Sequence, residues 1–353
     1  MRKTTWILLL LFPVIPLASQ ERRLSLLFAG DAMQHLPQID GARMEDGSYR
    51  YDSCFYLLQE KISHADLAGV NFETTLAGEP FSGYPLFSAP DAFALALRDA
   101  GFDIFFLANN HALDKGSGGV ARTIQLLDSI GIRHTGLFAN GEKRSLHYPL
   151  MVIRNGIRIA FLNYTYDTNG LPVKEPNRVN LLDSQLILED LQQTRLYRPD
   201  IIVAQLHWGE EYHTTPSPEQ RCIASLLHRQ GVQIIIGHHP HVVQPMVVKR
   251  EQQHIQSVVY YSLGNFISNQ QRELTDGGML AEIVIRKKDN DSPAMIESCG
   301  YSLVWVEKTA RKKKIRYRLI PFPTDSLLPM HAADRERMGN FARRATQIIE
   351  KNN

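Results

Sequence analysis

Gly237-His238-His239-Pro240-His241-Val242-Val243-Gln244 is the stretch whose reading organises the rest of the chain. It follows the apolar run Val232 to Ile236, which lies between Gly231 and Gly237 and predicts a buried strand. Three imidazoles leave the end of that strand within four residues, and Pro240 stiffens the turn. Residues two apart share a side in extended chain, so His239 and His241 are expected side by side. Neutral imidazole is the commonest nitrogen donor to divalent ions, which makes the pair candidate metal ligands. The competing reading is a polar loop with no ligand.

The same design recurs four times upstream. The apolar segment Leu24 to Ala29 ends in Gly30-Asp31, and Asp66 to Phe72 delivers Asn71 and Glu73. Phe102 to Ala108 ends in Asn109-Asn110-His111, and Asp200 to Leu206 opens into His207-Trp208-Gly209-Glu210-Glu211-Tyr212. Each ending has an ordinary alternative: Asp31 as a cap or turn residue, the amides as partners of loop backbone. Together they place oxygen donors from early strands and imidazoles from late strands at one sheet edge. Open α/β sheets bind ligands at that edge. The donor mixture suits Mn, Fe or Zn better than Ca or Mg, and its chemical use is metal-assisted attack on a phosphoryl or carbonyl group.

Between these segments the spacing predicts helices over about 56–65, 91–101, 118–129, 183–196 and 217–231, with a C-terminal one over 332–350. Asn155-Gly156 between apolar runs predicts a hairpin. Residues 41–50 and 167–180 read as irregular, and 78–90 as a loop over an opening. Strands over 280–286, 302–307 and 315–321 are expected to extend or cover the sheet.

Composition sets the bounds. With 353 residues, 44% apolar and 22% charged, the chain is of ordinary globular type, and a net charge of +2 gives no electrostatic case for nucleic acid. Residues 1–20 have the form of a secretory signal: Arg2 and Lys3, an apolar stretch from Trp6 to Leu17, then Ala18 and Ser19. An uncleaved anchor is the alternative. Residues 21–353 are expected to form one domain. Of the three cysteines, Cys54 and Cys222 fall in apolar-periodic segments and are expected in the core, and one disulfide is compatible with export.

The motif order is similar to that of the metallophosphoesterase (calcineurin-like) superfamily, and more closely resembles its CapA branch, the poly-γ-glutamate capsule synthesis proteins. The stretches that carry the resemblance are Gly30-Asp31-Ala32-Met33, Val70 to Glu73, Leu107 to Gly116, His207 to Tyr212, Gly237 to Gln244 and Tyr261 to Phe266. The resemblance implies a four-layered α/β/β/α sandwich. It assigns Asp31, Glu73, Asn110, His207, His239 and His241 to a centre of one or two divalent ions (Mn, Fe or Zn). It makes Asp31 and His111 catalytic, His111 as a hydrogen-bond donor in the transition state, and has Asn71, Trp208, Glu211 and Asn265 line the substrate pocket. One departure stands out: the superfamily's D-x-H histidine is Met33 here, so His35 or another side chain must replace it or one metal site is weakened.

By the same resemblance the chain is an exported, metal-dependent protein of capsule or poly-γ-glutamate synthesis, placed in the periplasm, at the cell surface or on an N-terminal anchor. Its expected partners are an anionic polymer or a phosphorylated intermediate, and a membrane synthase complex. The alternatives are a secreted phosphoesterase with a small substrate and a non-catalytic subunit that binds polymer or synthase.

Overall fold

A computed structural model describes residues 21–311 and 314–351 of the chain. The leader expected over 1–20 lies outside the described residues. Among those described, no helix is long and apolar enough to cross a membrane.

The first half alternates strand and helix: β1 (Arg22–Ala32), α1 (Leu36–Ala42), α2 (Asp52–Ser63), β2 (Leu67–Phe72), α3 (Asp91–Asp99), β3 (Ile104–Phe106), α4 (Gly116–Ser129) and β4 (Arg133–Thr135). Strands β1 to β4 lie side by side and parallel, as βαβ units require. A short link, β5 (Leu137–Phe138) and α5 (Gly141–His147), leads to the second half. That half holds β6 (Leu150–Arg154), β7 (Ile157–Thr165), β8 (Arg178–Val179), α6 (Ser184–Leu196), β9 (Ile201–His207), α7 (Pro218–Arg229), β10 (Ile234–His238), β11 (Met246–Glu251) and β12 (His254–Tyr260). Here β7, β9, β10 and β12 are parallel neighbours. The β6–β7 hairpin turns at Asn155 and Gly156, both left-handed (φ 49° and 70°), as the Asn-Gly pair predicts.

The last elements are β13 (Asn265–Ile267), β14 (Gly277–Lys287), β15 (Met295–Arg311), β16 (Lys314–Phe322) and α8 (Ala332–Ile349). Antiparallel β14 and β15 join the two parallel halves, giving the strand order β4-β3-β2-β1-β14-β15-β12-β10-β9-β7-β6. The halves then face each other. Phe28 of β1 and Phe106 of β3 touch Phe161 of β7 at 6.3 and 6.0 Å between ring centres, although many strands separate them in the sheet order.

Three cores follow from the two-residue period of the strands. Leu24, Leu26 and Phe28 point inward to a core shared with Ile159, Val203 and Ile236. Leu27 and Ala29, on the other face of β1, pack against α2, α3 and α4 through Leu58, Phe93 and Leu127. Ala204 and Ile235 pack outward against Leu191 of α6 and Leu227 of α7. The layers are therefore helix, sheet, sheet, helix, as expected.

The helices start where their caps dictate. Asp183 accepts the Leu186 amide at 2.8 Å, and Ser217 with Gln220 forms a capping box ahead of Pro218. Helix α2 begins four residues before the expected start, and α1 was not expected at all; its seven residues carry too little periodicity to show. Cys222 corrects another expectation. The buried face of α7 is Gln220, Ile223, Ala224 and Leu227, which leaves Cys222 exposed. All three cysteines are free.

One contact fixes where the two halves meet. A Cβ on Gly30 would lie 2.0 Å from the Gly264 carbonyl oxygen, the group that accepts the Asp31 amide at 3.0 Å. Gly30→Ala must push these backbones apart, and an expected loss of about 3 kcal/mol follows from overpacking. Urea unfolding checks it; a loss below about 0.5 kcal/mol, the size of an ordinary surface change, would show that the junction yields freely.

Candidate metal centre

The C-terminal ends of β1, β2, β9 and β10, with the turns after β3 and β10, converge on one buried cluster. Asp31 is at its centre and fully buried. Asn71 Nδ2 donates to Asp31 Oδ1 at 2.8 Å, and His241 Nδ1 lies 3.0 Å from Oδ2. The His239 amide approaches the same Oδ2 at 3.3 Å, and His238 Nδ1 is 3.6 Å from Oδ1. Glu73, equally buried, takes the Asn71 amide on Oε2 at 3.2 Å. Its Oε1 has no hydrogen-bond partner and stands 3.7 Å from His207 Nε2 and 3.8 Å from His241 Nε2.

Two groups of three side chains offer ligand atoms within 4.8 Å of one another: Asp31, Glu73 and His207, and Glu211, His239 and His241. Bonds of about 2.2 Å place opposite ligands roughly 4.4 Å apart, so small side-chain adjustments close either group on an ion. Asn110 joins the first group, with Oδ1 3.0 Å from His207 Nε2. Besides Glu73 Oε1, the buried atoms Asn71 Oδ1, His238 Nδ1 and His239 Nδ1 lack partners. Unpaired buried polar atoms cost about 1–3 kcal/mol each and are uncommon. A concentration of them among carboxylates and imidazoles fits a divalent cation.

The electrostatics agree. Burial drives His207 well below the usual imidazole range, reinforced by His239, His238 and His241. It takes His238 to about 4 against the pull of Asp31, and His239 to about 3 with the help of His241. These rings are neutral near pH 7, the form that ligates. Burial also raises Asp31, but the His241 hydrogen bond and charge, His238 and Asn71 outweigh it and hold this carboxyl below its usual range. Glu73 goes the other way: burial first, then Asp31, Glu211 and Asp114, push it well above. Two buried carboxyls that share one amide oppose each other's ionisation, and a cation between them would relieve that.

The turn that carries the late ligands is not extended. Only His238 belongs to β10, while His239 and His241 are left-handed (φ 96° and 59°). This corrects the expected strand-like pairing: a strained turn, at about 1–3 kcal/mol per such residue, brings the two rings to 5.9 Å.

Neither ligand group includes His35 or Met33 at the departure in the first motif. Met33 is buried, and His35 lies before α1 with Nδ1 3.2 Å from Gln38 Oε1 and accepting the Asn269 amide at 3.3 Å. The expected lining residues divide. Asn71 and Asn265 are in the cluster, Asn265 Oδ1 being 3.2 Å from His241 Nδ1. Glu211 is at its open side and serves as a candidate ligand. Trp208 is a correction: its indole packs in the outer core on Tyr261 and donates to the Tyr261 carbonyl at 2.9 Å. Strand alternation turns it away from His207.

Four participants were not anticipated. Gln205 Oε1 holds His238 Nε2 at 2.8 Å, Tyr166 covers His239 at 4.5 Å between ring centres, and Asn169 Oδ1 accepts from Asn110 Nδ2 at 3.2 Å. The fourth, Asp114, holds His111: Oδ2 is 2.7 Å from His111 Nδ1 and accepts the Phe87 amide at 2.7 Å. The His-x-x-Asp spacing was the available signal for it; Tyr166 and Asn169 sit in a patternless loop. Asp114→Ala strands two buried donors and is expected to cost about 3 kcal/mol, against about 1 for Asp114→Asn, which keeps an acceptor. Urea unfolding of metal-free protein compares them, and equal losses would remove Asp114 as the anchor of His111.

The sequence profile of the bacterial capsule synthesis protein PGA_cap family matches residues 25–270. The chain is 28% identical over 288 residues to the capsule biosynthesis protein CapA of Bacillus anthracis, covering 77% of this chain and 67% of that one. It is 33% identical over 199 residues to the PGA biosynthesis protein CapA of Bacillus subtilis (strain 168), covering 54% of this chain and 49% of that one. Among solved structures it is similar to the calcineurin-like phosphoesterase YfkN of Bacillus subtilis, at 14% identity and a TM-score of 0.42, covering 93% of this chain and 98% of that one. The profile match takes in every strand end that builds the cluster, and with it the chain belongs to the bacterial capsule synthesis protein PGA_cap family.

Proposed function

We propose that the chain is an exported, divalent-metal-dependent protein of capsule or poly-γ-glutamate synthesis that acts on the polymer or on a phosphorylated intermediate of it. The observation that carries this reading is the pair of ligand groups around the unpartnered Glu73 Oε1, set in a chain of a capsule synthesis family. Membership in that family supports an extracellular site of action.

The residues that would hold metal are Asp31, Glu73, Asn110 and His207 on one side and His239, His241 and Glu211 on the other. The chemistry such an ion supplies is Lewis-acid activation of water and of the attacked carbonyl or phosphoryl group. The protein's own contribution is positioning. His111 is buried, wedged against Phe87 at 4.5 Å between ring centres, with Nδ1 engaged by Asp114. Its Nε2 is the nitrogen left to face a substrate oxygen that gains charge. Asn71 and Asn265 fix the orientation of Asp31 and His241. Glu211, partly exposed, stands where a substrate enters.

A second reading, a binding subunit without turnover, draws on Met33, whose buried thioether stands where the superfamily has a ligand. Elemental analysis of purified wild type beside a His239→Ala, His241→Ala double variant separates the cases. One to two equivalents of Mn, Fe or Zn are expected in wild type and loss in the variant. A single equivalent would trace the missing ion to Met33. No metal after reconstitution would sink the metal-dependent reading. In cells, His241→Ala is expected to abolish polymer formation; full polymer with a metal-free variant would leave the binding-subunit reading.

A further inference from the structure

A cavity of about 260 Å³ opens beside the metal centre, between the loop that follows β13, strand β15 and one face of α8. Arg272, Lys308, Arg337 and Arg344 line it, against Glu273 and Asp276. We propose that this cavity is an anion subsite that takes pendant carboxylates of an extended polyanionic chain and so presents the neighbouring linkage to the centre at His241. The class of anion rests on the polymer reading above; the subsite does not.

The carboxylates of the cavity are already engaged. Glu273 is paired with Arg344, and Asp276 accepts the Trp305 indole at 2.9 Å. Two guanidinium groups are held less tightly, Arg272 by a ring and Arg337 by a long ion pair. Arg272 lies over the Tyr212 ring at 4.1 Å, and the carboxylate beside Arg337 is Asp334 of its own helix, at 3.5 Å. Both are exposed. A planar guanidinium with unspent N–H groups binds carboxylate through two parallel hydrogen bonds. Lys308 adds a partly buried ammonium that donates to the Gln270 carbonyl at 2.8 Å. Burial takes this lysine down to about 8; Asp276 opposes that and Arg337 adds to it. The whole chain has a net charge of only +2, so this concentration of cations is local.

The cavity adjoins the centre through one shared residue. Gln270 forms the wall between them: its Oε1 accepts from Asn265 Nδ2 at 2.9 Å, and Asn265 Oδ1 lies 3.2 Å from His241 Nδ1. Gln270 Nε2 reaches the Tyr212 hydroxyl at 3.4 Å, and the Tyr212 ring is 6.2 Å from that of His241. Thus Arg272, Tyr212 and His241 form a row from cavity to centre. The volume falls below the roughly 300–1,000 Å³ of pockets that enclose a whole small ligand. It suits one or two anionic groups of a chain that runs on outside. Arg337 and Arg344 belong to α8, beyond the matched residues 25–270, so the C-terminal helix acquires a binding role.

The test is binding of a fluorescent γ-glutamate oligomer to full-length protein stripped of metal by chelation, followed by anisotropy. Wild type is expected to bind, and Arg272→Gln with Arg337→Gln to bind about tenfold more weakly, the size expected of two partly exposed charge-assisted pairs. Arg272→Lys with Arg337→Lys is expected to fall between. Metal content after reloading is expected to match wild type in both. Equal binding by the Gln variant, no binding by wild type, or stronger competition by polyphosphate than by unlabelled glutamate oligomer would overturn the proposal. So would loss of metal in either variant, which would place these arginines in the centre. Because the readout is taken without metal, failure of the metal-dependent reading leaves this result standing on its own.

Discussion

A charged carboxylate sealed in the middle of the protein governs the rest. Asp31 comes from one half-sheet, and the groups that hold its carboxyl below the usual range, His241 foremost and then His238, come from the other. A lone buried carboxylate would take up a proton instead. While Asp31 is buried, its charge therefore depends on partners that only the docked second half supplies. This ties the integrity of the centre to the inner core that packs β1 and β3 on β7, and to the Gly30–Gly264 approach that brings the backbones together.

The same docking creates an imbalance that the protein alone does not resolve. Glu73 is as buried as Asp31, shares the Asn71 amide with it, and leaves one oxygen without a partner. The neutral His207 ring and the His241 ring stand beside that oxygen. Replacing the proton on Glu73 by a cation would let both carboxyls ionise and would satisfy the orphaned atoms together. The strained left-handed His239 and His241 belong to this picture, since the turn holds its rings where strand geometry would not. Around the centre lies a quieter framework, with Gln205 on His238 and Asp114 on His111, that sets ring orientation by hydrogen bonds.

The centre also has a direction. Its closed side is core; its open side carries the partly exposed Glu211, then Tyr212, Arg272 and the cationic cavity against α8. On the proposed reading, a long anionic chain would meet positive charge beside the candidate centre rather than at random over a nearly neutral surface.

By itself the sequence determined the parallel strands, their polar endings and the order of donors. A buried strand needs a continuous apolar run, and a ligand at its end needs a polar residue directly after it, both being local properties. Asp31, Glu73, Asn110, His207, His239 and His241 were legible for that reason, as were the Asn155-Gly156 turn and the Ser217 cap. Tertiary structure alone decided which donors could share an ion, because Glu211 meets His239 and His241 only across a turn whose left-handed residues no spacing rule reveals. It sent Trp208 to the outer core and Cys222 to solvent through the phase of a strand and a helix. It also brought Arg337 and Arg344 of the C-terminal helix beside Arg272. Nothing local encodes that meeting, since it depends on how β15 and α8 fold back over the joined sheet.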